Sequence, residues 1–91
     1  MDFEFDQQKS DSNKYKNGID FEEARALRND YDYAEINLKS DDEQRFMVVA
    51  AIGEKFRSAI CTVRNNRIRI ISVRRSRRSE VEIYYKGKQI G

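Results

Sequence analysis

The chain has 91 residues, of which 38% are hydrophobic and 37% are charged, and its net charge is +2. A chain this short forms one domain with a thin core, which we place at residues 1–91 with a frayed tail over 86–91. Its single cysteine excludes an internal disulfide, and the lack of histidine excludes imidazole catalysis and the usual zinc ligands. We therefore expect neither a metal ion nor a cofactor.

The sequence also limits where the protein is expected to act. Its longest uncharged apolar run, residues 46–53, is too short to cross a membrane. The N-terminus carries Asp2, Glu4 and Asp6 instead of the basic and apolar segments of a secretory signal. Together with the lone cysteine, these features predict a cytoplasmic protein.

Charge is divided unevenly along the chain. Residues 1–54 carry a net charge of −7 and residues 55–91 carry +9, which returns the overall +2. Most basic residues in the second part are arginines, whose planar guanidinium groups suit phosphate oxygens and stack on bases. Nucleic acid is therefore the partner class that the charge favours. A solvated basic face, or one neutralised by an acidic protein, stays open as the alternative.

A short strand and two helices are predicted in the first third of the chain. Residues 3–5 alternate between apolar and acidic and predict the strand. Asp6 can then cap a polar helix that ends at Gly18, with Tyr15 as its main inward side chain. A capping-box motif predicts a second helix over residues 20–29.

Four strands and a last helix follow. The strands are predicted at residues 31–38, 46–52, 56–64 and 67–72. The second of them is apolar on both faces and therefore central, and Asn65-Asn66 suits a tight hairpin. Ser76 or Ser79 can cap the C-terminal helix. This order indicates an α+β domain in which the N-terminal helices pack on an antiparallel β-sheet meander.

The last predicted strand carries the most informative pattern. Its period of two places Arg67 and Arg69 on one face, opposite isoleucines. Two arginines cannot be buried there unpaired, so we expect them to meet solvent, carboxylates or phosphate. Four more arginines follow near the start of the last helix, where they oppose the helix dipole unless an anion binds. These are Arg74, Arg75, Arg77 and Arg78.

Three segments of the chain resemble the BrnT family of toxins, in the same order and with the same spacing. They are the stretch from FEFD at residues 3–6 to KNGIDFEEA at 16–24, the segment SDDEQRF at 40–46, and the run RIRIISVRR at 67–75 with Glu80 and Tyr84 after it. The third is the most specific. Phe5 replaces a tryptophan of the family pattern, while Asn17 and Lys39 stand where the family usually has histidine.

The resemblance implies a small RelE-like fold and the toxin of a type II toxin–antitoxin module. It implies a metal-independent ribonuclease that cleaves RNA and inhibits translation. It also implies a BrnA-like ribbon-helix-helix antitoxin that neutralises the toxin in a heterotetramer, so that the toxin meets DNA only through its antitoxin. Because the chain lacks histidine, a non-catalytic RNA-binding or protein-interaction domain stays open as the alternative.

Metal-independent RNA cleavage needs a base for the 2′-hydroxyl, a stabiliser for the charged phosphorane and an acid for the leaving oxygen. We expect Arg45, Arg69 and Arg74 to stabilise the charge, and the guanidinium groups of the last strand and of the bend after it to converge in a single pocket. Glu80 and Lys39 are the candidates for proton transfer, although the arginines near Glu80 should lower its pKa.

Further contacts to RNA are expected from Arg67, Arg75 and Tyr84. Each assignment has a structural alternative. The arginines can pair with the acidic first half of the chain, as Arg45 can with Glu43. Glu80 can pair locally with Arg77, and Tyr84 can belong to the core.

Overall fold

The computed structural model describes residues 3–38 and 43–90, with side chains for 3–38 and 43–87. The elements are β1 (Phe3–Glu4), α1 (Gln7–Asn17), α2 (Phe21–Ala24), a 3₁₀ helix (Arg25–Asn29), β2 (Ala34–Leu38), β3 (Arg45–Ile52), β4 (Lys55–Arg64), β5 (Arg67–Arg75) and α3 (Arg78–Ile90). The predicted α+β class is confirmed. None of the helices in the described ranges is long and apolar enough to cross a membrane.

A five-stranded sheet in the order β1-β5-β4-β3-β2 forms the centre of the domain. Strands β2 to β5 make the predicted antiparallel meander, and β1 joins it in parallel at the outer side of β5. Asn65 and Asn66 connect β4 to β5 with φ angles of 53° and 63°. Both lie in the left-handed region that a two-residue hairpin requires, so the predicted turn is confirmed.

The first face of the sheet is covered by α1, α2 and the 3₁₀ helix. The predicted capping box is present at the start of α2, where Asp20 accepts from the Glu23 backbone and Glu23 accepts from that of Asp20. Phe21 and Leu27 are almost fully buried against this face. Cys61 lies in the same core, where burial raises the pKa of its thiol to about 12.

Helix α1 packs differently from the prediction. Asp6 caps it and Gly18 ends it with φ 76°, as expected, but Tyr15 is 92% exposed, so its predicted inward position is wrong. The buried side chains of α1 are Ser10 and Asn13. A helix this polar has no apolar stripe to bury, so it joins the domain through hydrogen bonds instead.

Helix α3 covers part of the second face, where Tyr84 packs with Met47 and Val49. The Tyr84 hydroxyl donates to the Asp30 carboxylate at 2.9 Å, and its ring meets Phe56 edge-on at 5.0 Å. The backbone of α3 continues to Ile90. Residues 86–90, where we expected a frayed tail, therefore form its last turns, and Gly91 lies outside the described residues.

Strand β5 contains a bulge that changes which side chains share a face. Cys61 of β4 pairs with Ile70, but Ile60 pairs with Ser72, so Ile71 is an extra residue in β5. The bulge shifts the alternation by one position. Val73 therefore joins the buried first face, and Arg74 lies on the same face as Arg69.

Candidate functional site

Five directly paired residues cross the whole sheet on its second face. They are Glu4, Arg69, Thr62, Arg45 and Leu38, one from each strand. We call this set the cross-sheet row. Since neighbouring strands lie about 4.8 Å apart, the Cα atoms of Arg45 and Arg69 are separated by about 10 Å, with Thr62 between them. Two guanidinium groups at this spacing can bind one phosphate placed above Thr62.

Thr62 has a short side chain, which leaves room for a phosphate between Arg45 and Arg69. It is fully buried, and its hydroxyl donates to the Gln44 carbonyl at 2.6 Å. Its polar group is therefore satisfied within the protein, and the arginines on either side carry the charge.

Two more arginines extend the row toward the β4–β5 hairpin. Arg64 and Arg67 pair directly across it, and they lie on the same face as Arg45 and Arg69 because strand alternation brings every second residue to one side. All four guanidinium groups are partly exposed, with exposed side-chain fractions between 28% and 59%. We call these four residues the arginine cluster.

The arginine cluster shares two carboxylates. Glu4 lies 3.6 Å from Arg69 and 4.0 Å from Arg67, while Glu43 lies 3.5 Å from both Arg45 and Arg64. For these residues the structural alternative is confirmed, because the arginines pair with acids of their own chain. Each glutamate is shared by two arginines, however, so the four arginines and two glutamates together carry a net charge of +2. Long, exposed ion pairs contribute little to stability and exchange readily for another anion.

Arg74 is held in a much tighter pair. Its Nη1 and Nη2 donate to Oε1 and Oε2 of Glu80 at 2.8 and 2.7 Å. Glu80 also accepts from the Ser58 hydroxyl and from the Arg77 backbone N–H, both at 2.8 Å. The hydrogen bonds from Arg74, and then those from Arg77 and Ser58, lower the pKa of Glu80 to about 2 against the opposing effect of burial. A carboxylate bound in this way is a poor proton acceptor at neutral pH.

This pair also explains how α3 begins among so many arginines. Glu80 lies in its first turn, where a negative charge complements the positive end of the helix dipole. Its bond to the Arg77 N–H satisfies one of the donors left free at a helix start. A local pair of Glu80 with the Arg77 side chain was the alternative left open from the sequence. The carboxylate instead binds the Arg77 backbone and the side chain of Arg74.

The structure brings only some of the predicted site residues together. Arg45, Arg67 and Arg69 belong to one cluster. Arg74 shares their face but pairs with Ser58, four residues along β4 from Thr62, which is a distance of about 13 Å. Arg75 falls on the other face, opposite Arg57. The expectation that all these guanidinium groups converge in a single pocket is therefore wrong.

Tyr84 and Lys39 are the two predicted site residues that remain. Tyr84 is 5% exposed and its proton is donated to Asp30, so it belongs to the core and cannot stack on RNA. Burial and the bond to Asp30 raise its pKa to about 12. Lys39 lies outside the described residues.

Glu4 and Arg64 are site residues that were not predicted from the sequence, whereas the pairing of Arg45 with Glu43 was one of the alternatives and is confirmed. Arg64 could have been found, because a two-residue hairpin after it places it directly opposite Arg67. Glu4 could not, since nothing in residues 3–5 tells which strand β1 joins. Among the described residues, no group of three or more histidine, cysteine, aspartate or glutamate side chains comes together as metal ligands do.

Comparison with known proteins identifies a family. Residues 5–80 match the model of a family described as the ribonuclease toxin BrnT of a type II toxin–antitoxin system. None of the curated proteins matches the chain. The matched range includes every element from α1 to β5 and ends at Glu80, in the first turn of α3.

Proposed function

Because the chain belongs to the BrnT family of ribonuclease toxins of type II toxin–antitoxin systems, we propose that it cleaves RNA without a metal ion and so inhibits translation. The observation that carries this proposal is the cross-sheet row, in which Arg45 and Arg69 flank buried Thr62 on an exposed face. Arginine remains charged at any working pH, so it can stabilise a phosphorane without a metal ion.

In this proposal Arg45 and Arg69 bind the scissile phosphate, and Arg67 and Arg64 bind the neighbouring one. Incoming phosphate oxygens replace Glu4 and Glu43 as partners of the guanidinium groups. The replacement is favourable because a phosphate accepts bidentate hydrogen bonds from arginine in the same geometry as a carboxylate.

We assign the base role to Glu4. The low pKa and the four hydrogen bonds of Glu80 argue against that residue as the base, and burial argues against Tyr84. The Glu4 side chain is 28% exposed and lies at 3.6 Å from Arg69, so it is within reach of a 2′-hydroxyl next to the bound phosphate. Arg74 and Glu80 then act as positioning residues, which hold the end of β5 against the start of α3. Lys39 remains a candidate for the acid.

The proposed partners follow from the family and from the charge. We propose that a BrnA-like ribbon-helix-helix antitoxin neutralises the toxin in the cytoplasm by covering the arginine cluster, in a heterotetramer that reaches DNA only through the antitoxin. Acidic side chains of the antitoxin would meet the net positive charge of the cluster.

The test is incubation of the purified protein with total RNA, with and without EDTA. Wild type is expected to cleave in both conditions, and the double variant Arg45→Ala, Arg69→Ala to lose at least 100-fold in rate, because charge stabilisation of this kind contributes about 10² to 10³ per donor group. Lys9→Ala with Lys16→Ala removes the same charge from exposed positions on α1 and should leave cleavage unchanged.

Two results would contradict the proposal. Cleavage that stops in EDTA would show a metal-dependent reaction. Binding of RNA without any cleavage by folded wild type would favour the non-catalytic alternative, in which the same cluster only holds the RNA.

A further inference from the structure

We infer that a second RNA-binding cleft, separate from the arginine cluster, lies at the end of the sheet between the β3–β4 turn and the start of α3. It takes one phosphate and one base of single-stranded RNA beyond the cleavage point. This inference rests on the proposed function for the identity of its ligand.

The cleft has the size and the walls of a nucleotide site. Its volume is about 350 Å³, and its lining residues come from the β3–β4 turn, the start of β4, the end of β5 and the start of α3. They are Glu54, Lys55, Phe56, Arg75, Ser76, Arg78 and Val81. Ligand sites in proteins begin at about 300 Å³ and combine apolar walls with a few polar groups.

The cations of the cleft lack firm partners. Lys55, Arg75 and Arg78 outnumber the one acid, Glu54, among the lining residues. Within the described residues, Lys55 and Arg75 form no ion pair, and Arg78 is 3.9 Å from Glu82 with its side chain 96% exposed. These groups are therefore available to a phosphate, in contrast to Arg74 with its two short bonds to Glu80.

A direct pairing of like charges adds to this excess. Arg57 and Arg75 occupy opposite positions on β4 and β5 beside the cleft. Like charges directly opposite each other destabilise a sheet, and neither has a carboxylate within 4.0 Å in the described part of the chain. An anion bound by Arg75 would remove this repulsion.

The apolar wall of the cleft suits a nucleobase. Phe56 is half-buried in the cleft, and its ring meets Tyr85 edge-on at 5.7 Å, where Tyr85 is 48% exposed. An aromatic surface beside arginines is the combination that binds single-stranded nucleic acid, because bases stack on the ring while cations hold the backbone. An acidic peptide would use the cations but not the ring, so we assign the cleft to RNA.

The cleft lies at the opposite end of β5 from the arginine cluster. Arg75 and Arg69 are six residues apart, or about 20 Å along the strand. The two sites would therefore hold different nucleotides of one strand. Ser76 links the cleft to the Arg74–Glu80 pair, since its hydroxyl is 2.7 Å from that of Ser58, which donates to Glu80.

The test measures binding of a short fluorescent 2′-O-methyl RNA, which cannot be cleaved because its 2′-oxygen is blocked. The variant is Arg75→Ser with Arg78→Ser, both exposed, so the fold should be kept. The matched control is Lys9→Ser with Lys16→Ser on α1. We expect the slope of log K against log salt to fall by about 0.7 in the variant, the value for loss of the one phosphate held in the cleft, and to stay unchanged in the control.

Two competitor molecules test whether a nucleobase stacks in the cleft and whether the ligand of the cleft is RNA. An abasic chain of the same length should bind wild type about 10-fold more weakly than the RNA, because it cannot stack. An oligoglutamate of equal charge should compete poorly.

The outcomes separate this inference from the proposed function. An unchanged salt slope in the Arg75 and Arg78 variant, with RNA cleavage intact, would overturn the cleft and leave the nuclease. Cleft-dependent binding by a protein that never cleaves RNA would support the cleft and overturn the nuclease. Equal competition by oligoglutamate and RNA would overturn the assignment to RNA.

Discussion

The side chain of Asn13 and the backbone of Val73 form two hydrogen bonds with each other. Asn13 Nδ2 donates to the Val73 carbonyl at 2.7 Å, and the Val73 N–H donates to Asn13 Oδ1 at 3.3 Å. Among the described residues, β1 pairs with β5 at Ile68 and Arg69, and no strand lies along the outer edge of β5 at Val73. The amide of Asn13 takes the place of that strand and satisfies both backbone groups.

Asn13→Ala is expected to destabilise the protein by about 2–4 kcal/mol, because it leaves the polar backbone groups of Val73 and the carbonyl of Ile19 buried without partners. Urea unfolding followed by circular dichroism measures the change. Ser12→Ala, at an exposed position of the same helix, is the control and should cost under about 0.5 kcal/mol. Equal stability of the two variants would contradict the role of Asn13.

We expect the protein to lose stability in acid because of Glu80. Its pKa is lowered from 4.5 to about 2 in the folded protein, so its contribution is complete above pH 4.5 and is lost as the pH falls toward 2. We expect about 2–3 kcal/mol of the unfolding free energy to disappear over that range. Glu80→Gln should reduce this dependence, whereas Glu82→Gln, at an exposed position, should keep it. Identical pH profiles for wild type and Glu80→Gln would exclude the effect.

We expect a second loss of stability, at alkaline pH, because of Tyr84. Its pKa is raised from 10 to about 12, so stability is retained below pH 10 and declines as the pH rises toward 12. Tyr84→Phe removes the bond to Asp30, costs about 1 kcal/mol at neutral pH and removes the part of the alkaline loss that comes from Tyr84. The part that comes from the buried Cys61 thiol, whose pKa is also raised to about 12, is expected to stay. Denaturant unfolding at pH 7, 9 and 11 measures both effects. Tyr31→Phe, at a fully exposed tyrosine, should change neither.

Glu4→Gln tests the base of the proposed reaction. Cleavage of a short RNA in single turnover should fall by about 10² to 10⁴, the contribution of a positioned base. Binding of uncleavable RNA should become tighter, since one negative charge is removed from between Arg67 and Arg69. A variant that cleaves at the wild-type rate would assign the base elsewhere. Glu22→Gln on α2 is the matched control.

Much of the local structure could be predicted from the sequence because it depends on residues that are close along the chain. The cap at Asp6, the stop at Gly18 and the Asn65-Asn66 turn each act over a few residues, and each was confirmed. The alternation that places Arg67 and Arg69 on one face also needs only the geometry of a strand. The family resemblance, confirmed over residues 5–80, rests on the same local motifs.

The arrangement of the candidate site depends on long-range pairing, which those motifs do not contain. Glu4 reaches Arg69 because β1 adds to β5 from the far end of the chain, and Arg74 turns to the second face because Ile71 forms a bulge. Arg75 turns to the first face for the same reason. The amino-acid sequence by itself thus determined the strands, their charged faces and the family. Tertiary pairing decided which arginines meet, because register and bulges follow from the packing of the whole sheet.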